Sequence, residues 1–152
     1  MTRAPFNVLV FPYRPAGEHA FEYALLRRAD SGYWHTVAGG GEDSETPLEA
    51  ARRETYEETG IPTDSVFLQL DTVMPVPVTA YQGCHHWGED VYVIPQYCFG
   101  VLAGSARLLL SREHIEYRWM AYPQAHRLVK YGGSKIALWE LDRRLRGLGP
   151  RD

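Results

Sequence analysis

Short stretches in which apolar or β-branched residues dominate or alternate with polar ones recur along the chain and predict β-strands. Pro12 directly follows the first stretch and is expected to help end it, whereas Pro75 and Pro77 predict an edge position or a bend. The predicted strands cover residues 7–11, 21–28, 34–38, 66–81, 92–102 and 116–121.

One segment between these strands carries a nearly complete set of helix signals. Thr46 is a good N-cap, Pro47 suits the first helical position, and Glu49 completes a capping box with Thr46. Gly60 stands where a left-handed C-cap is needed, and Pro62 prevents continuation. These signals predict a helix over residues 47–59.

A glycine-rich segment, residues 39–45, precedes this helix and is predicted to be a loop. A second amphipathic helix is predicted over residues 134–145, where Leu138, Leu141 and Leu145 recur at helical spacing. Strands, a central helix, further strands and a terminal helix together indicate an α+β fold.

Composition narrows the class of protein. The 152 residues suit a single domain, 1–152, and no apolar run approaches the roughly 20 residues that span a bilayer. No signal-peptide pattern is recognisable, and two cysteines are too few for a disulfide framework, so a cytoplasmic location is expected. The net charge of −3 gives no support for binding a long nucleic acid. The sequence does not determine the oligomeric state.

Three glutamates, Glu54, Glu57 and Glu58, fall on one face of the predicted central helix because their spacing is i, i+3 and i+4. Arg53 lies four residues before Glu57 and can pair with it. Charged clusters on helices are often merely solvated. Carboxylates gathered in this way are equally the preferred ligands of Mg²⁺ and Mn²⁺, so the glutamates alone leave both interpretations open.

The spacing upstream of the glutamates decides between a solvated helix face and a metal-binding site. Gly39 is followed by five residues and Glu45, then by seven residues and Arg53-Glu54. The segment 39–61 resembles the Nudix box, G-x5-E-x7-R-E-U-x-E-E-x-G-U, in which U is a bulky aliphatic residue. Thr55 departs from that pattern at an aliphatic position, which concerns local packing more than chemistry.

The resemblance implies a Nudix fold, an α/β/α sandwich around a mixed β-sheet, and hydrolysis of a nucleoside diphosphate linked to another group. It implies that Mg²⁺, or Mn²⁺, is bound by the box glutamates Glu54, Glu57 and Glu58 and by the backbone carbonyl of Gly39. Arg53 would orient a box glutamate, with Glu57 the expected one. A carboxylate would act as general base, and the sequence leaves open which one.

Two longer segments, 23–54 and 111–129, look like the bacterial dihydroneopterin triphosphate pyrophosphohydrolases, although outside the box the resemblance is loose. In that subfamily a glutamate before the last strand adds a metal ligand. Glu113 stands at the matching place, and its alternative interpretation is an ordinary loop acid.

Other residues are weaker candidates. Arg27 and Arg28 could bind phosphate, although they could also be solvated or paired elsewhere. Tyr33 and Trp34 could stack on a base or pterin ring, or belong to the core. The segment 84–86, Cys-His-His, lacks further ligands at zinc spacing and is predicted to be a polar loop.

We therefore expect an Mg²⁺-dependent Nudix hydrolase that cleaves a pyrophosphate bond in dihydroneopterin triphosphate or a nucleoside triphosphate and releases pyrophosphate. A nucleotide sugar, a dinucleoside polyphosphate or a capped RNA end is the alternative type of substrate. A Nudix domain that binds a nucleotide without cleaving it is the alternative from another class, and the intact glutamates argue against it.

Overall fold

The computed structural model describes residues 2–81, 87–104 and 107–151, so the prediction for residues 84–86 lies outside the described residues. Seven strands and three α-helices are formed within these residues. The strands are β1 (Arg3–Pro15), β2 (Phe21–Arg28), β3 (Trp34–His35), β4 (Val37–Glu42), β5 (Phe67–Pro77), β6 (Val93–Leu102) and β7 (His114–Ala121). The helices are α1 (Pro47–Thr59), α2 (Tyr122–Leu128) and α3 (Gly132–Leu145).

The strands form one mixed sheet in the order β3-β2-β1-β6-β5, with β4 paired to β1 and β7 paired to β2. β1 and β6 run parallel, and the other pairs are antiparallel. The first half of β1 pairs with β4 and its last residues pair with β2. Because two strands share one side of β1, the glycine-rich segment of β4 is held next to the start of the molecule's central strand.

Alternate residues of the central strands enter two separate cores, one on each face of the sheet, as the period of a strand requires. Val8 and Val10 pack with Ala50 and Ala51 of α1, whereas Leu9 and the residues alternating with it pack on the opposite face. That opposite core includes Ala125 of α2 and Ala137, Leu138 and Leu141 of α3. The arrangement is the predicted α/β/α sandwich around a mixed sheet.

Two predictions about strand ends were wrong. Pro12 does not end the first strand, because it lies between the part of β1 that pairs with β4 and the part that pairs with β2, where a missing N–H is tolerated. The predicted loop 39–45 is strand as far as Glu42. The glycines of β4 are needed there because the side chains of Glu54, Arg3 and Phe6 lie directly over them.

The other elements follow the sequence closely. Residues 67–77 form β5. Among the described strands it pairs only with β6, so it is an edge strand, one of the two outcomes that Pro75 and Pro77 predicted. The helix α2 was not predicted, because its seven residues are too few to show helical periodicity. Within the described part of the chain, no helix is both long and apolar enough to cross a membrane.

Candidate active site

Helix α1 begins and ends where its local sequence requires. The Thr46 hydroxyl accepts from the backbone N–H of Glu49 at 3.2 Å, and the Glu49 carboxylate accepts from the backbone N–H of Thr46 at 2.9 Å. Gly60 closes the helix with φ 76°, and its N–H donates to the Tyr56 carbonyl at 2.9 Å. These caps set the residues at which the helix begins and ends.

Thr55, the position that departs from the box pattern, is fully buried on this helix. Its carbonyl accepts a hydrogen bond from the Thr59 hydroxyl at 2.6 Å, while its own hydroxyl has no partner among residues 2–81, 87–104 and 107–151. The departure therefore concerns the packing of α1 against the sheet.

Arg53 joins α1 to the segment that precedes it. Its guanidinium donates to the Glu45 carboxylate at 2.8 and 3.0 Å and to the Gly40 carbonyl at 2.8 Å. It also donates to Glu54 at 3.0 Å and to Glu57 at 3.3 Å. The expected partner, Glu57, thus makes the longest of these bonds, and Arg53 principally fastens β4 and the following turn to the helix.

Glu54 lies against the backbone of Gly39. A Cβ atom added at Gly39 would fall 2.1 Å from Cδ of Glu54, so no other residue fits at this position without displacing the carboxylate. Burial raises the pKa of Glu54 although the Arg53 guanidinium opposes the shift. The structure therefore brings together the two predicted site residues Gly39 and Glu54.

Glu58 is buried, with 3% of its surface exposed. Among the described residues, neither of its carboxylate oxygens makes a hydrogen bond of normal distance and angle, although the nearby backbone N–H of Ala38 acts to lower its pKa. Burial, and then the negative charges of Glu54 and Glu113, raise the pKa of Glu58 to about 10. A buried carboxylate without a hydrogen bond of normal geometry, and beside two further carboxylates, fits a divalent cation, which would supply the missing positive charge.

Glu113 reaches this helix through a loop that is fastened at two points. The Leu109 N–H donates to the Thr59 carbonyl at the end of α1, and the Ala29 N–H donates to the Glu113 carbonyl, both at 2.9 Å. Long-range backbone bonds of this kind place a residue distant in sequence beside the box.

The resulting cluster contains a residue that sequence reasoning missed. One ligand atom each of Glu58, Glu113 and His114 lies within 4.8 Å of the others, and Nδ1 of His114 is 3.7 Å from Oε1 of Glu58. His114 is buried, and burial followed by the charge of Arg28 lowers its pKa to about 4. A single histidine without a spacing pattern offers no signal that could have found it.

A cleft of about 830 Å³ opens beside the cluster. Gly39 and Glu113 line it and connect it to the glutamates of α1. Its remaining lining residues combine apolar, aromatic and polar side chains from several elements. They are Asn7, Arg28, Ala29, Asp30, Ser31, Tyr33, His35, Ala38, Met74, Pro75, Val76, Pro77, Ala80, Tyr81, Gln96, Arg112, Tyr131 and Ser134.

The fold places one of the three predicted substrate-binding residues at the cleft. Arg28 lines the cleft and binds Asp30 through two hydrogen bonds of 3.0 and 2.9 Å. Arg27 instead pairs with Glu116 at 3.1 Å, and Trp34 packs against the core on the face of α2 and α3. Neither Arg27 nor Trp34 is among the residues that line this cleft.

Arg112 is a second residue that the sequence did not single out. It is exposed and lines the cleft next to Glu113. Within residues 2–81, 87–104 and 107–151, its guanidinium has no hydrogen bond or ion pair. An arginine available in this way suits phosphate binding better than one already paired.

Comparisons with known proteins agree with this geometry. The profile of the NUDIX domain matches residues 4–139. A dihydroneopterin triphosphate diphosphatase of Escherichia coli K12 is 28% identical over 138 residues, which cover 90% of this chain and 91% of the relative. An asymmetrical bis(5'-nucleosyl)-tetraphosphatase of Sus scrofa is 29% identical over 122 residues, covering 80% and 78%.

Among solved structures, a Listeria monocytogenes chain provisionally assigned as a NUDIX hydrolase superposes with a TM-score of 0.84 at 36% identity. The superposition covers 95% of this chain and 96% of the other. With the profile match over most of its length, this chain therefore belongs to the NUDIX domain family.

Proposed function

We propose that the protein hydrolyses a pyrophosphate bond in a nucleoside triphosphate or dihydroneopterin triphosphate, with Mg²⁺, and releases pyrophosphate. Family membership and the curated relatives establish the coarser statement, that the chain is a Nudix pyrophosphohydrolase. The observation that carries this more specific proposal is the buried Glu58 carboxylate. It makes no hydrogen bond of normal geometry with the described residues, and it lies beside Glu54, Glu113 and the cleft.

The donor set fits a hard divalent cation. The carboxylates of Glu54, Glu58 and Glu113 would hold it, together with the Gly39 carbonyl, and Mn²⁺ is an alternative to Mg²⁺. Glu57 is the remaining box glutamate and lies further towards solvent, with 54% of its side chain exposed. When bound, the cation supplies Lewis acidity and neutralises phosphate charge.

The chain's own groups position and deprotonate the reactants. Arg112 would bind phosphate oxygens directly, while Arg28 would do so alongside its bond to Asp30. As the oxygen of an attacking water bonds to phosphorus, the bridging P–O bond breaks and pyrophosphate leaves with the bonding electrons. The proton of the water passes to a carboxylate within reach of solvent, a condition that Glu57 and Glu113 meet and the buried Glu58 does not.

A dinucleoside polyphosphate is the second candidate substrate, because the Sus scrofa relative is named for one. The products separate the two possibilities. A triphosphate substrate yields pyrophosphate and a monophosphate, whereas a dinucleoside tetraphosphate cleaved asymmetrically yields two nucleotides without pyrophosphate.

The test is a panel of dATP, other nucleoside triphosphates, dihydroneopterin triphosphate, ADP-ribose and diadenosine tetraphosphate, assayed with Mg²⁺ and with all products identified. Replacing Glu57 or Glu58 by Gln should lower kcat by about 100-fold or more, because each change removes a carboxylate from the site. Glu18→Gln, in an exposed loop, is the control and should leave kcat within twofold.

Wild-type protein that binds one member of the panel but cleaves none would contradict the proposal and support a binding domain. Glu113→Gln tests the metal role of that residue separately. It should weaken Mn²⁺ binding measured by electron paramagnetic resonance as well as activity, and unchanged affinity would exclude Glu113 as a ligand.

A further inference from the structure

The cleft has a polar floor that the proposed phosphate chemistry does not use. Asn7 and Gln96 are buried and face each other across the parallel β1–β6 pair, where Nδ2 of Asn7 donates to Oε1 of Gln96 at 2.5 Å. Because that bond occupies the Gln96 oxygen, its amide N–H groups are left for other partners. The acceptor found for Nε2 is the sulfur of Met74, at 3.3 Å, which is a weak one.

Two further polar atoms of the floor have no partner among the described residues. They are Oγ of Ser134, in a residue that is fully buried, and Nδ1 of His35, in a residue that is 9% exposed. Burial, and then the charges of Arg28 and His114, lower the pKa of His35 to about 4, so its imidazole is neutral at pH 7. Buried polar groups without partners are uncommon and cost free energy unless a ligand satisfies them.

Met74 lies between the Gln96 amide and the start of α3, where Ser134 is located. Met74 contacts Gln96 on one side, and on the other its Cε lies only 2.3 Å from where a Cβ of Gly133 would be. Gly133 directly precedes Ser134. A glycine at 133 therefore lets the Met74 side chain lie beside the start of α3, and Gln96, Met74 and Ser134 all line the same cleft.

Aromatic side chains stand above this floor. Tyr33 and Tyr131 line the cleft with 48% and 52% of their surfaces exposed. The Tyr131 ring meets the His35 ring edge-on at 5.7 Å between centroids, and Nζ of Lys130 lies 3.5 Å from the centroid of Tyr33. These contacts hold both tyrosine rings at the cleft, where their faces can cover a planar ligand.

We propose that Gln96, Ser134 and His35 form a subsite that binds the polar edge of a planar nitrogen heterocycle, whose face stacks on Tyr33 or Tyr131. The Gln96 amide donates to a ring nitrogen or carbonyl, and the Ser134 hydroxyl accepts from a neighbouring N–H. Purines, pyrimidines and pterins share this pairing of donor and acceptor on one edge. The inference rests on the proposed function, since it assigns the heterocyclic end of the triphosphate substrate.

The test measures binding without turnover. Dissociation constants are determined by calorimetry with Mg²⁺ for α,β-methylene dATP, dGTP and dCTP and for inorganic tripolyphosphate, which has no heterocycle. Ser134→Ala removes a hydroxyl that has no partner in the described structure, and Gln96→Met removes the amide at similar volume. Each variant should weaken binding of at least one nucleotide analogue about tenfold and leave tripolyphosphate affinity within twofold.

Ser65→Ala is the matched control, because its hydroxyl donates to the Pro62 carbonyl at 2.6 Å in a loop whose residues do not line the cleft. The subsite would be overturned if a variant weakened the binding of nucleotide analogues and tripolyphosphate equally. It would also be overturned if Ser134→Ala left nucleotide affinity unchanged, and this outcome can be read even if Gln96→Met does not fold. The analogue that responds most identifies the ring type. Selective weakening in a protein that cleaves none of the substrate panel would uphold the subsite and refute only the proposed function.

Discussion

Arg53 shows how one side chain organises the cluster of carboxylates around it. Its planar guanidinium bonds at once to the Glu45 carboxylate, the Gly40 carbonyl and Glu54. These acceptors lie before and on α1, so the bonds hold the glycine-rich strand against the helix that carries the glutamates. A lysine has the same charge but lacks the several directed N–H groups that this geometry uses.

Arg53→Lys should therefore lower kcat by about 10- to 100-fold, because Glu54 and the β4 backbone lose their common support. Arg52→Lys is the matched control on the same helix, since Arg52 binds the carbonyls of Thr63 and Ser65 away from the cleft. The control should stay within twofold in steady-state assays with Mg²⁺. Equal kcat values for the two variants would contradict the role assigned to Arg53.

At the scale of elements, α1 has strong capping signals but carries three negatively charged side chains on one face. Glu54, Glu57 and Glu58 repel one another on one face. The capping box of Thr46 and Glu49 and the left-handed Gly60 compensate by satisfying backbone groups at both ends. The helix therefore places the glutamates without depending on attraction between them.

Thr46→Ala tests this contribution. It should lower the free energy of unfolding by about 1 kcal/mol, because the N–H of Glu49 loses its acceptor. For a chain of this size the melting temperature should fall by about 2–4 °C. Thr63→Ala, at an exposed position outside the helix, is the control and should change stability by less than about 0.5 kcal/mol in urea unfolding. A similar loss in both variants would contradict the capping role.

At the scale of the whole molecule, Glu140 fastens α3 to the edge strand β5. Its carboxylate accepts from the backbone N–H groups of Asp71 and Thr72 at 2.7 and 2.9 Å. It also accepts from the Thr72 hydroxyl at 2.6 Å and from Nε of Arg144 at 2.7 Å. Burial by itself would raise the pKa of Glu140, but these hydrogen bonds outweigh it and the pKa is lowered.

The pKa of Glu140 is lower in the folded state than in the unfolded chain, where it is near 4.5. Ionised Glu140 therefore stabilises the fold above pH 4.5, and this stabilisation is lost as the pH falls through the pKa of the folded state. Glu140→Gln should cost about 1–3 kcal/mol at pH 7. The difference from wild type should remain constant down to about pH 5 and shrink below pH 4.5. Urea unfolding at pH 7, 5 and 4 measures it, with Glu18→Gln as control. A difference that grows on acidification would contradict the assignment.

The sequence predictions were accurate where a feature depends on residues near one another in sequence, and they failed where it depends on distant ones. The caps predicted α1, and two prolines predicted an edge position or a bend in β5, because these features depend on residues that are near one another in sequence. The sandwich around a mixed sheet was expected from the resemblance to the Nudix family. The seven-residue α2 has too few residues for such a pattern. The strand conformation of Gly39 and Gly40 was missed because it depends on pairing with Val8 and Asn7 and on side chains that arrive from elsewhere.

By itself, the sequence determined the family, the helix that carries Glu54, Glu57 and Glu58, and the proximity of Arg53 to them. The reason is that a helix converts spacing along the chain directly into a shared face. Only the tertiary structure decided that Glu58 is buried without a hydrogen bond of normal geometry to the described residues. It also decided that His114 belongs to the cluster, that Arg112 lines the cleft, and that Arg27 and Trp34 lie outside the cleft. Side-chain burial and contacts between loops that are distant in sequence depend on strand pairing across the whole sheet, which local sequence patterns do not predict.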